Sequence, residues 1–82
     1  MSYEKVSQAK HFVIGTKQTV KALKAEKVKE LIIALDADPT IAALLKKTAV
    51  ETGVNIAFVD SKAKLGRACG IQVGAAAVAI LM

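Results

Sequence analysis

Apolar positions along this chain change period several times, and each change marks an element. From Thr16 to about Ala25 they recur with helical spacing. Val20 and Leu23 share one stripe, while Lys17, Lys21 and Lys24, at i, i+4 and i+7, share another that faces solvent. Lys27-Val28-Lys29-Glu30 reads as a charged connection. The run Leu31-Ile32-Ile33-Ala34-Leu35 has no alternation, which predicts a strand covered on both faces. Ile41, Leu44, Leu45, Thr48 and Ala49 then fall at i, i+3, i+4, i+7 and i+8, an amphipathic helix. Asp38 is its expected N-cap, Pro39 fits its first position, and Gly53 closes it.

Shorter elements fill the gaps. Ser2 to Lys10 predicts a first helix, with Glu4 near its positive end and Val6 and Ala9 on one face. Phe12-Val13-Ile14 is a brief strand stopped by Gly15. Asn55–Val59 makes a third strand, and Asp60-Ser61 turns into a helix through about Ala68 that Gly70 ends. Gly70–Gly74 is a loop carrying Ile71 and Val73. Of these, Val73 is slightly favoured to tuck into the core. Ala75–Met82 supplies the last strand. Helices and strands alternate throughout, so the expected fold is α/β, a three-layer α/β/α sandwich around a four-stranded mixed sheet. In such folds sites gather at strand ends, and the loops at Gly15, Ser61 and Gly70–Gly74 are candidates to share one end.

At 82 residues the chain is one domain, residues 1–82, without a linker. Hydrophobic residues make up 54% of it, enough for a dense core in so small a domain. The terminal apolar run is far shorter than the ~20 residues that span a bilayer, and the N-terminus lacks a signal-peptide pattern. One cysteine, Cys69, suits a reducing compartment, so the expectation is a soluble, cytoplasmic monomer without a membrane partner. Twelve Lys and Arg against seven Asp and Glu give +5, a bias towards a polyanionic partner such as nucleic acid.

Catalytic and cofactor chemistry find little footing. Gly15-Thr16-Lys17-Gln18-Thr19 resembles a phosphate loop only superficially, because neither Gly-x-x-x-x-Gly-Lys-Ser/Thr nor Gly-x-Gly-x-x-Gly occurs. The single His11 has no nucleophile or carboxylate beside it in sequence. Cys69, between Ala68 and Gly70, reads as a small core filler. Asp36, Asp38 and Asp60 lie near strand ends, but capping accounts for Asp38 and a turn for Asp60. No catalytic residue, metal ligand or cofactor is assigned, and no enzyme is expected. Binding features are richer. A strand that ends in Gly-Thr and enters a helix presents free N–H groups where the helix dipole favours an anion. Lys17, Gln18 and Lys21 there can bond phosphates or base edges, and Lys62, Lys64 and Arg67 add a second basic cluster. Aromatic residues are too few for a base-stacking platform, which leaves a helix end and loops meeting a shaped RNA. One or both of Ile71 and Val73 would then pack on an unstacked base.

These segments resemble the bacterial members of the kink-turn-binding ribosomal protein family, of the archaeal L-seven-Ae and eukaryotic L-thirty-e type. The likeness rests on Gly15-Thr16-Lys17-Gln18-Thr19-Val20-Lys21, Ala34–Pro39, Ser61–Gly70 and the Ile71-Gln72-Val73 loop, in order and nearly along the whole chain. It implies an α/β/α sandwich that binds kink-turn RNA at its tandem sheared G·A pairs and stabilises the bent form. It also implies RNA contacts at Gly15, Thr16, Lys17, Gln18 and Lys21, supported by Lys62, Ile71, Gln72 and Val73. Lys17 and Gln18 depart from the Asn and Glu of archaeal and eukaryotic members, though both can bond base edges. The alternative expectation is a ribosome-associated module that meets rRNA backbone without selecting a kink.

Overall fold

The computed structural model describes residues 2–82. Eight elements alternate along the chain: α1 (Ser2–Gln8), β1 (Phe12–Ile14), α2 (Thr16–Lys24), β2 (Val28–Ala34), α3 (Pro39–Thr52), β3 (Asn55–Val59), α4 (Lys62–Ala68) and β4 (Ala77–Leu81). The four strands form one mixed sheet in the order β1-β4-β2-β3. β4 runs antiparallel to both of its neighbours, and β2 runs parallel to β3.

The unbroken apolar run of β2 makes sense in this order, because it is an inner strand with a helical layer on each face. Successive side chains serve opposite faces. Leu31 and Ile33 join Ala77 and Ala79 of β4 under Leu23 of α2 and Leu45 and Ala49 of α3. Ile32 and Ala34 join Val78 and Ile80 under Val6 of α1 and Leu65 of α4. The result is the expected α/β/α sandwich. No helix among the described residues is long and apolar enough to cross a membrane.

Several boundaries differ from the sequence expectation. β2 begins at Val28, within the segment read as a charged connection. Val28 is buried and pairs with Leu81, while an irregularity between Val28 and Glu30 lets Lys29 point to solvent. The strand ends at Ala34, and Leu35 turns outward, 68% exposed. α1 stops at Gln8 rather than Lys10, and β4 spans Ala77–Leu81 rather than Ala75–Met82. Leu44, expected on the core stripe of α3, lies at its margin and is 47% exposed, whereas Leu45, Thr48 and Ala49 are buried. Both expected caps of α3 are present: the Asp38 carboxylate accepts from the Thr40 N–H at 2.8 Å, and Gly53 adopts the left-handed conformation.

Candidate nucleic-acid interface

β1, β2 and β3 all finish at the sheet edge where β4 begins, so four connections emerge side by side. They are Gly15, the Leu35–Asp38 turn, Asp60–Ser61 and the loop before β4. Hydrogen bonds tie their roots together. Gly15 N–H donates to Ala77 O at 3.4 Å, Ala34 N–H to Ala76 O at 2.9 Å, and Leu35 N–H to Val59 O at 2.7 Å. The three loops expected to share one end therefore do so.

The helices that follow β1, β2 and β3 start at this edge, and their first turns are finished differently. α3 is capped by Asp38. α4 is capped twice: the Ser61 hydroxyl accepts from Lys64 N–H at 3.2 Å, and the Asp36 carboxylate accepts from Lys62 N–H at 2.8 Å. α2 has no side-chain cap among the described residues. Its N-cap is Gly15, at φ 96°, ψ 154°, a backbone conformation that costs a side chain-bearing residue dearly. The N–H groups of the first turn of α2 are thus left for an external acceptor, at the positive end of the helix dipole.

The charges around this edge are unevenly committed. Asp36 and Asp38 each hold a helix start. Asp60 accepts hydrogen bonds from the Tyr3 hydroxyl and, at 3.4 Å, from Lys64 Nζ. The Tyr3 hydrogen bond holds the Asp60 carboxyl below its ordinary range, with Lys64 adding to the effect. Desolvation, and then the bond to Asp60, push the Tyr3 hydroxyl up. Lys17, Lys21, Lys62 and Arg67 are exposed and make no ion pair among the described residues. The edge therefore presents uncommitted cations beside carboxylates that already have partners.

The loop before β4 is clamped to α4. Ile71 N–H donates to Gly66 O at 3.0 Å and Ala75 N–H to Lys62 O at 2.9 Å. Gly66 makes this approach feasible, since a Cβ there would lie 2.0 Å from the Val73 carbonyl oxygen. The clamp reverses the expectation for the two apolar loop residues. Ile71 packs against the α1/α4 core, whereas Val73 is 70% exposed, because seating its carbonyl on Gly66 turns its side chain away.

Of the sequence-expected residues, Lys17, Gln18, Lys21, Lys62, Gln72 and Val73 are exposed at or next to this edge, and Gly15, Thr16 and Ile71 are half-buried there. Lys24 lies further along the solvent face of α2. The outward turn of Leu35, the capping role of Asp36 and the close approach at Gly66 were not anticipated from the sequence. Leu35 ends an apolar run and looks like strand core, and Asp36 caps a helix 26 positions away. The signal for Gly66 was a glycine inside a helical pattern, which marks close backbone approach. Thr19, facing inward from α2, is fully buried, and its hydroxyl oxygen has no hydrogen-bond partner among the described residues. Burial raises the Cys69 thiol above its ordinary value, in keeping with its packing against the α1/α4 core. His11 is exposed at the opposite end of the sheet, where its carbonyl accepts from Leu81 N–H. A depression of about 460 Å³ at that far end lies between α1 and β2 and is bridged by the Lys5–Glu30 ion pair at 3.0 Å.

Comparison with known proteins agrees with this architecture. Residues 2–82 match the ribosomal protein L7Ae/L30e/S12e/Gadd45 family. An RNA-binding protein of Bacillus pumilus is 63% identical over 82 residues, covering all of both chains. The RNA-binding protein YbxF of Geobacillus stearothermophilus is 58% identical over 81 residues, 99% of each chain. Among solved structures, the 15.5kD RNA binding protein of Giardia lamblia superposes with a TM-score of 0.84 at 31% identity, over 98% of this chain and 68% of that one.

Proposed function

The chain belongs to the ribosomal protein L7Ae/L30e/S12e/Gadd45 family, and from that premise we propose that it binds RNA, with a kink-turn as target. The names of its relatives support the RNA class. The observation that carries the reading is the contrast among helix starts: α3 and α4 are capped by their own side chains, and α2 is not. In this reading the open α2 start and Lys17 and Gln18 meet base edges at the sheared G·A pairs. Lys21 and Lys62 neutralise phosphates, and the loop of Ile71, Gln72 and Val73 packs on unpaired nucleotides. Binding only the bent conformer shifts the RNA towards it, with no chemical step.

The experiment is a titration against a kink-turn stem and against the same stem with its G·A pairs replaced by Watson–Crick pairs. Tighter binding to the first is expected. Equal affinities would instead assign the protein to sequence-independent contact with RNA backbone, as a ribosome-associated module.

A further inference from the structure

A groove runs from Gln18, near the α2 start, along the free edge of the sheet to Lys27 and Leu81 at its far end. Among the described residues β1 pairs only with β4, so its other side is open, and one face of α2 overhangs it. Gln18, Lys21, Ala22 and Ala25 share that face at i, i+3, i+4 and i+7. With Val13 and Leu81 they enclose a cavity of about 270 Å³ that opens to solvent. This lies just under the range of roughly 300–1,000 Å³ usual for sites that swallow a drug-sized ligand, so a single flat group is the better fit.

The lining is divided by chemistry. Val13, Ala22, Ala25 and Leu81 give an apolar floor, and Gln18, Lys21 and Lys27 give a polar rim. No carboxylate lines the groove, and neither lysine has an ion-pair partner among the described residues. Lys27 has an exposed side chain on an anchored backbone. Its N–H donates to Ala22 O at 3.2 Å and its carbonyl accepts from Met82 N–H at 3.0 Å. The residue before it, Glu26, is held at φ 57° to bring the chain back over the helix end. An apolar floor for a ring face, an amide at one end and two cations for phosphates describe a nucleotide.

We propose that the groove between α2 and the free edge of β1 is a second subsite that takes one unpaired nucleotide of the RNA held at the α2 start. The proposal rests on the RNA reading above and extends it about 10 Å along α2, the length from residue 18 to residue 25. The base lies on the Val13–Ala22 floor, beyond the G·A pairs that Gln18 meets, and Lys21 and Lys27 flank its phosphates. Such a subsite adds affinity without adding selectivity for G·A pairs.

The test uses Lys27→Glu and Ala25→Asp, two exposed positions on the groove, with Lys47→Glu on the outside of α3 as the control for charge. Each is titrated with the kink-turn stem, and with stems in which unpaired nucleotides are replaced singly by 2-aminopurine. Both groove variants are expected to lose about tenfold in affinity at moderate salt, with thermal unfolding within a few degrees of the parent and an unchanged preference for the stem with G·A pairs. One 2-aminopurine position should change fluorescence on binding the parent and not on binding either groove variant. Groove variants that match Lys47→Glu, with no position-specific fluorescence change lost, overturn the subsite. Loss of the preference for G·A pairs in the parent overturns the kink-turn reading instead, and leaves the fluorescence comparison to decide the groove.

Discussion

Replacing Gly66 by alanine puts a single methyl where α4 meets the loop before β4. Its carbon would lie 2.0 Å from the Val73 carbonyl oxygen, 3.1 Å from the carbonyl carbon and 3.2 Å from Gly74 Cα. Contacts of this kind do not fall below 3.0 Å, so the loop backbone has to retreat by about 1 Å. Overpacking of this sort costs about 1–3 kcal/mol. The retreat also stretches the bonds from Ile71 N–H and Ala75 N–H to α4, each worth about 0.5–1.5 kcal/mol. Alanine returns about 1 kcal/mol through its better helix propensity. The balance is a loss of about 1–3 kcal/mol, and at about 4–8 °C per kcal/mol for a domain of this size Tm drops by roughly 5–20 °C. Urea unfolding followed by circular dichroism measures it. Gly74→Ala is the matched comparison: its Cβ would meet the Lys62 side chain at 3.3 Å, which can yield, so a change within about 0.5 kcal/mol is expected. Well below Tm, Gly66→Ala should also bind the kink-turn stem more weakly, because Gln72 and Val73 are displaced. A Gly66→Ala protein as stable as the parent would refute the claim that close approach at this glycine seats the loop.

Three other perturbations test separate parts of the structure. Lys21→Ala should weaken RNA binding and flatten the dependence of log K on log salt by about 0.7–0.9, one phosphate's worth, whereas Lys47→Ala on α3 should do neither; equal effects would misplace the site. Glu26→Gly should raise stability by about 1 kcal/mol in urea unfolding, because a left-handed backbone strains any residue with a Cβ, and a loss would show that φ 57° is not strained. The depressed Asp60 carboxyl contributes stability that is present above its unfolded value of about 4 and lost as pH falls through the lower folded value. Tyr3→Phe should therefore flatten the fall of Tm on acidification through this window, and an unchanged slope would rule out the Tyr3–Asp60 bond as the cause.

Much of this architecture was legible because its signals are local. Asp38-Pro39 and Gly53 delimit α3 through capping chemistry that depends on neighbours in sequence, and Ser61 marks the start of α4 in the same way. The uniform apolarity of β2 announced two covered faces. What stayed hidden depends on partners far along the chain. Val28–Glu30 pairs as strand only because β4 lies beside it, and its charges disguised that. Val73 and Ile71 look alike in sequence, and their fates are decided by which carbonyl seats on Gly66. The basic residues of the candidate site could be picked out by type and spacing. Only the second cap of α4 needed Asp36, whose acceptor role is fixed by the fold.

The order β1-β4-β2-β3 has a consequence for how the molecule comes into being. Synthesis is vectorial, and β4 follows every other element in the chain, yet it fills the slot between β1 and β2. Until it does, β1 has no strand partner, Gly15 N–H lacks the Ala77 carbonyl, and the loop clamped to α4 lacks its second anchor. An earlier intermediate can join β2, α3, β3 and α4 through near neighbours in sequence, but the start of α2 and the 71–74 loop have no fixed separation in it. Closure of the sheet spans about 65 residues from β1 to β4, a long-range contact of the kind that slows folding. The surface proposed for RNA is therefore complete only once β4 has entered the sheet.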